Sequence, residues 1–464
     1  MNNITNVSEF SNVSNVWLIL VECIGVGLLS ALIMMVGTKS GRSVLRSWSE
    51  FYAAISYFLV RGGSYENCPY FKDPKERQAK IQIFSLCLVF SLWDEPHYRN
   101  GTFQDDMIKN LRNVAIPGTG IPLSLLSRSK ILCYCFLFVG YPIVALISAI
   151  NAAWFHSREP LTHNGSDGNQ TKKAVRLEDA FRQQLLMPQD WFSFWRLNCR
   201  LATFHSCVTK SKDYELEDKH LFLETAKKKS VPVSPCLDLP GVILKHCNEE
   251  GGLGFARYFS PSGGGEWLIQ PILKNGPVVS RLLPKDAPLS TFRVITASRH
   301  GIPKKSLNRG KKMVEALSVV FRAGLAGAAT DHESILFDVD NVTGKLRRGT
   351  TNAHWYRLGL FKGMFATPWT SKHDITCHPD TNMCLEGEKI ESIERVLGIA
   401  IDAHEKLCPE VPLVGWDVSF TESYGMLLLE GNFSCNFFRG QFDLNKYTEF
   451  VDDYFTSLAG DIGY

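Results

Sequence analysis

The sequence has no excess of charge of either sign. Fifty Lys and Arg against 47 Asp and Glu leave +3 over 464 residues, so composition makes no electrostatic case for nucleic-acid binding. Thirteen cysteines are too sparse for a small disulfide scaffold, and no CxxC or Cys/His zinc spacing occurs. Cys133 and Cys135 form a C-x-C inside an apolar run, where small buried residues are the simpler reading. No G-K-[ST] follows a glycine-rich turn, which excludes a Walker A loop. Internal repeats and low-complexity tracts are missing, and 36 Gly and 21 Pro exclude a collagen-like chain. What is present is apolar material. With 45% hydrophobic and 21% charged residues, the chain can bury a sizeable core and is not wholly disordered. Its length predicts one domain with appendages, or two or three domains.

Two apolar stretches dominate. Val16 to Gly37 carries one charge, Glu22, and lacks the basic start of a signal peptide. Ile131 to Trp154 carries none and contains Pro142. About 20 apolar residues cross a bilayer as a helix, so both are expected to span. The expected order is a tail at 1–15, a transmembrane helix at 16–37, a membrane-proximal loop at 38–130, a second transmembrane helix at 131–154, a polar linker at 155–175 and a globular domain at 176–464. A third run, Ile81 to Trp93, is too short to span comfortably. It reads as interfacial, together with Phe51 to Val60.

Basic residues mark the cytosolic side. Lys39, Arg42 and Arg46 follow the first stretch, and Lys109, Arg112, Arg128 and Lys130 precede the second. The 38–130 loop is therefore expected in the cytosol with both chain ends across the membrane. This predicts an integral membrane protein whose 176–464 domain lies in the secretory lumen, or in the cytosol if 81–93 also spans. Glycan-acceptor triplets at Asn3, Asn6, Asn12, Asn164 and Asn169 agree, whereas Asn100 begins one inside the cytosolic loop.

From about Val175 the composition is globular. Asp179 to Phe204 reads as a helix anchored by Trp191, Phe192, Phe194 and Trp195. Strand-like runs follow at Val242–Leu244, Trp267–Ile272, Phe292–Thr296, Ile335–Val339, Leu413–Phe420 and Met426–Leu429. Helical patterns lie at Lys219–Lys229, Lys311–Arg322 and Ile390–Leu407. Strands and helices mixed without strict βαβ alternation predict an α+β fold.

The segment Leu413 to Asn432 is two apolar runs around a TESYG turn. A hairpin centred between Ser423 and Tyr424 sets Asp417 opposite Glu430, Val418 opposite Leu429 and Phe420 opposite Leu427. Alternation then gives a core face of Trp416, Val418, Phe420, Leu427 and Leu429, and a second face of Asp417, Ser419, Glu430 and Asn432. Like charges facing each other destabilise a sheet. A hard cation held by two carboxylates and an amide oxygen would relieve this; a solvated acidic face is the alternative. Upstream, Gly241 to Gly254 is an apolar strand, then Lys245, then a glycine-rich turn whose backbone N–H groups can cradle phosphate. In Glu266 to Leu273, Pro271 interrupts an apolar run and frees backbone groups for a purine edge.

In order, these pieces resemble the ATP-grasp superfamily. The order is Asp218-Lys219 before a helix, a strand with Lys245 and a glycine-rich loop, Gln270-Pro271-Ile272, a strand with Arg293, then Asp417, Glu430 and Asn432. The wording WLIQPILKNGPVVSRLLPKDAPLSTFRVITA, AGAATDHESILFDVDNVTGKL, CHPDTN and GWDVSF…LLLEGN is similar to the sugar-transfer-associated, α-L-glutamate-ligase-related branch. The likeness runs from about Leu177 to Phe438. It implies an ATP-grasp fold, two α+β subdomains gripping ATP, attached to the two transmembrane helices. It implies that Lys219 and Lys245 contact ATP phosphates under a flap of Gly251, Gly252 and Gly254, and that Gln270 and Ile272 line the adenine hinge. Asp417, Glu430 and Asn432 would hold Mg²⁺. Arg293 and Arg322 would steady the transferred phosphoryl group. Two departures stand out: Lys245-His246 replaces the family's Lys-Pro, and Asp331-His332 with Ser334-Ile335 replaces an Asp-Asn followed by glycines, where the acceptor is expected.

The implied activity is an ATP-dependent carboxylate–amine or carboxylate–hydroxyl ligase, activating a carboxylate as an acyl phosphate with ATP and Mg²⁺. Expected partners are a small-molecule or glycan substrate and the lipid bilayer, with no nucleic acid. Alternatives are a relative that binds nucleotide or a glycan precursor without ligating it, and a small-molecule kinase on the same site.

Overall fold

A computed structural model describes residues 36–112, 114, 122–156, 176–239, 241–248, 255–302, 312–331, 334–351, 375–435 and 440–461. The first expected transmembrane stretch, the linker and Gly251, Gly252 and Gly254 fall outside these, apart from Val36, Gly37, Phe155 and His156.

The first half is helical. α1 (Lys39–Ile55) starts where the Thr38 hydroxyl accepts from the Gly41 N–H at 3.0 Å. α2 (Arg77–Ser91) follows, then α3 (Phe103–Asn110), which opens on a capping box of Thr102 and Asp105. α4 runs from Lys130–Cys135 through a π-helical turn at Phe136–Gly140 into Tyr141–His156. α5 (Leu177–Leu186) and α6 (Trp191–Thr209) occupy the stretch expected as one helix. Pro188 denies an N–H, and the Asp190 carboxylate accepts from Ser193 N at 2.9 Å to start the second helix. α7 (Lys219–Lys228) is capped by Asp218, which accepts from Leu221 N at 2.8 Å.

The second half is built on a sheet. β1 (Val242–Lys245) and β2 (Phe255–Tyr258) form a separate exposed hairpin. β3 (Thr291–Ser298), β4 (Val314–Gly324), β5 (Ser334–Val339) and β6 (Leu346–Thr351) precede α8 (Ile393–Leu407). β7 (Leu413–Thr421), β8 (Gly425–Asn432) and the C-terminal α9 (Leu444–Asp461) complete the chain. The six long strands are antiparallel in the order β6-β5-β4-β3-β7-β8.

Two sequence expectations fail here. Lys311–Arg322 is not helical; most of it is β4, lying between β3 and β5. Both faces of that strand are covered, so the alternation that marks a strand is erased. Trp267–Ile272 forms no strand, only a single bridge from Ile269 to Leu237.

One face of the sheet packs Phe292, Val294, Val319, Phe321, Trp416 and Val418 against Val396, Ala400 and Ala403 of α8. The other face joins Ile295, Ala297 and Leu317 to a core shared by α1, α2, α3, α5, α6 and α9. Ile81 and Ile83 of α2 are fully buried there, so the Ile81–Trp93 run packs into this core. The ring of Tyr65 meets Phe455 of α9 at 5.5 Å, and its hydroxyl donates to Asp452 at 2.6 Å. Residues from 44–114 and 180–459 thus build one hydrophobic core. A bilayer cannot run between the two halves of one core. This packing of 38–130 against 176–464 runs against the expectation that they lie on opposite sides. Among the described residues one helix, Lys130–Ala153, is long and apolar enough to cross a membrane.

Candidate active site

The hairpin sets Asp417 opposite Glu430, as the spacing predicts. The pairs between Asp417 and the turn shift by one. Val418 faces Leu428, Ser419 faces Leu427 and Phe420 faces Met426, because a bulge interrupts the register after Asp417. Leu428, fully buried in the α8 core, therefore takes the position expected for Leu429. Leu429 instead joins Glu430 in the wall of a cavity of about 320 Å³. Leu427 likewise faces Ser419 and not Phe420.

That cavity gathers Lys219, Gln270, Arg322, Asp417 and Glu430, with Thr291, Thr330 and Asp331 beside them. Their origins explain the gathering. β3 carries Thr291 and Arg293 on the face opposite Phe292. Arg322 pairs with Thr291 across β4, and Asp417 pairs with Arg293 across β7. The Asp218 cap places Lys219 at the first helical position of α7, over Glu430 on β8.

Opposite charges alternate through the site. Arg293 Nε and Nη2 donate to the two Asp417 carboxylate oxygens at 2.5 and 3.0 Å. Arg322 Nη1 reaches Asp417 at 3.4 Å, and its Nη2 lies 2.8 Å from Asp331. The Thr291 hydroxyl donates to Asp331 at 2.5 Å. Lys219 Nζ lies 2.7 Å from Glu430, and Asn432 Nδ2 donates to Glu430 at 3.2 Å. Burial raises the Asp417 carboxyl above its ordinary value, with Arg293 and Arg322 drawing it back. Burial also pushes Glu430 up, but Lys219, Arg293 and Asn432 outweigh it and hold the carboxyl at about 2. A lysine at a helix N-terminus opposes the helix dipole, so the Lys219–Glu430 contact offsets an unfavourable placement.

Not every predicted residue arrives. Ile272 is 95% exposed and outside the cavity. Lys245 ends β1 on the exposed hairpin, also outside it. Arg293 lies behind Asp417, with 8% of its side chain exposed, where it positions the carboxylate. Gly415 makes room for it: a Cβ there would meet Arg293 Cδ at 3.2 Å and Cys435 Cβ at 2.7 Å. Asn432 touches Glu430 but does not line the cavity. Asp331 was expected only as part of the acceptor region, and Thr291 was not expected as a site residue. Thr291 sits in the same T-F-R strand as Arg293, and that alternation was the available signal.

Carboxylate and amide oxygens are the donors Mg²⁺ prefers. Asp417, Glu430 and Asn432 therefore fit the ion in type. In this arrangement Arg293 holds both Asp417 oxygens, while Lys219 and Asn432 each hold one oxygen of Glu430, the more exposed of the two carboxylates.

A hairpin-borne Asp and Glu, one strand arginine and a helix-start lysine line one cavity, with Arg293 behind the Asp. Residues 258–441 match the sugar-transfer associated ATP-grasp family. This ATP-grasp segment spans less than half of the chain and runs from β2 past β8, including every strand of the large sheet. It contributes Gln270, Arg322, Asp417 and Glu430, while Lys219 comes from α7 outside it. No curated protein and no solved structure matches the chain.

Proposed function

We propose that this protein is an ATP-dependent ligase of the ATP-grasp type that joins an activated carboxylate to an amine or hydroxyl of a small-molecule or glycan acceptor. The observation that carries this reading is the alternating array around the cavity. Asp417, Glu430 and Asp331 face Arg293, Arg322 and Lys219. Such a site is nearly neutral until a polyanion enters, and it offers fixed cations where phosphoryl charge moves. Lys219 and Arg322 would hold nucleotide phosphates, and Gln270 would border the base. Glu430, with Asn432 beside it, would hold Mg²⁺, which would supply neutralisation of the phosphate charge. Arg293 fixes the Asp417 carboxylate, and Asp331 with Thr291 orients Arg322 toward the acceptor.

The fold bears on location. The apolar α4 is only 17% buried, most of its residues being half-buried; it lends Ala145 and Ala149 to the core into which both flanking segments pack. We place α4 along a bilayer surface, its exposed face in the acyl region, with the catalytic body on one side.

One observation favours a second reading, a non-ligating nucleotide binder: both oxygens of Asp417 are already held by Arg293. Mass spectrometry of reactions with ATP, Mg²⁺ and a panel of acids with amines separates these. ADP together with a condensed product supports the ligase, and a phosphorylated product indicates a kinase. Nucleotide binding without ADP release means binding alone.

A further inference from the structure

Away from the ATP site, α2, α4 and α6 enclose a second cavity of about 130 Å³. Its walls are mostly apolar, Leu86, Phe136, Val144 and Ala145 among them, with the Asp190 carboxylate also in the lining. Yet two arginines of α6, one turn apart, line it. Arg196 is 2% exposed and Arg200 8% exposed. Neither Nη atom of Arg196 has a hydrogen-bond partner, and neither does Arg200 Nε; Gln82 Nε2 beside them is also unpartnered. Arg200 Nη1 donates to Ser85 at 3.2 Å, a neutral partner. The nearby carboxylates are engaged. Asp190 caps α6 through Ser193 N and Oγ at 2.9 and 2.7 Å. Asp106 accepts from Asn110 at 2.7 Å, with Arg99 and His97 each at 3.6 Å. Burial, then Arg196, draw the Arg200 guanidinium down to about 9.

Arg196 lies over the Trp195 ring at 5.2 Å, but a buried cation without an anionic partner costs several kcal/mol, and two side by side also repel. Such a pair persists where an anion completes it. The apolar walls select what carries that anion. The α4 wall is half-buried at Phe136 and Val144. Adjoining positions Ile131, Val139 and Ile143 are 72%, 59% and 46% exposed, so an apolar track leads outward from the cavity.

We propose that the cavity between α2, α4 and α6 binds a single-chain anionic amphiphile, its phosphate or carboxylate head on Arg196 and Arg200 and its chain along α4. A cavity of this size accommodates a head group with its first methylenes and not a whole lipid. This site does not depend on the ATP reading.

The test uses the full chain in a neutral detergent, with binding followed by tryptophan fluorescence and thermal unfolding. Dodecyl phosphate is expected to bind and raise the unfolding temperature, whereas dodecanol and inorganic phosphate are not. The double variant Arg196→Met, Arg200→Met is expected to fold and to bind dodecyl phosphate roughly a hundredfold more weakly. Should that variant fail to fold, Ala145→Leu fills the apolar end and is expected to weaken dodecyl phosphate binding. Equal stabilisation by dodecanol would overturn the proposal. So would full stabilisation by inorganic phosphate alone, or unchanged dodecyl phosphate affinity in the double variant or in Ala145→Leu.

Discussion

Arg293 and Asp417 face each other on neighbouring strands β3 and β7 and close a two-pronged ion pair at 2.5 and 3.0 Å, both side chains almost wholly buried. The Asp417 carboxylate is thus a structural partner as well as a candidate ligand. Asp417→Asn leaves the buried Arg293 without its counter-charge. Breaking such a pair on one side costs about 3–5 kcal/mol, so Asp417→Asn and Arg293→Met should both lower the chemical denaturation midpoint clearly. A variant protein as stable as wild type would show the pair to be dispensable.

A pH dependence follows from three buried histidines. Burial lowers His97, His205 and His404 from 6.5 to about 4. His404 is held neutral between Thr296 Oγ1 at 2.7 Å and the Val411 carbonyl at 2.9 Å. Between pH 6.5 and 4 the unfolded chain binds protons that the folded chain refuses, so these groups make stability fall as pH falls through that window. Each contributes a slope of about 1.4 kcal/mol per pH unit while only the unfolded form is protonated. Urea titrations at pH 7, 6 and 5 should show wild type losing more stability than His404→Gln. Parallel curves would refute the assignment.

The shared core makes a prediction about sidedness. Glu66 and Thr381 are both exposed, one in the helical half and one between β6 and α8. Cysteines introduced singly at these positions, with native exposed cysteines replaced by serine, should react with an impermeant maleimide from the same side of sealed vesicles. Labelling from opposite sides would restore the two-span arrangement. Replacing Ile131, Val139 and Ile143 with lysine should abolish vesicle flotation while leaving the unfolding midpoint within about 1 kcal/mol, since surface changes cost little.

The site was readable in sequence where it depends on chain-local geometry. Asp417 opposite Glu430 followed from the turn position, and Lys219 at a helix start followed from Asp218. The bulge after Asp417 was not readable, because two residues on one strand facing one on the other leave no mark in an apolar run. β4 was misread as helix because a strand covered on both faces loses its period. The Ile81–Trp93 run showed its apolarity but not its setting, since a core helix and a membrane helix are equally apolar. Contacts across long separations stayed hidden as well. Nothing near Arg322 in sequence announces that it bridges Asp331 and Asp417, and nothing in α2 announces α9.

Glu430 is the most direct probe of the ATP reading, because it is the more accessible carboxylate of the hairpin pair and its loss leaves no buried cation unpaired. Glu430→Gln keeps the shape of the side chain and gives up its contact with a largely exposed Lys219, an ion pair worth roughly 0–1 kcal/mol. ADP release with Mg²⁺ should be measured for wild type and variant, with unfolding midpoints alongside. The expected result is a loss of turnover on the order of a hundredfold or more in a protein of nearly unchanged stability; ADP release equal to wild type would contradict a nucleotide site at this corner of the sheet.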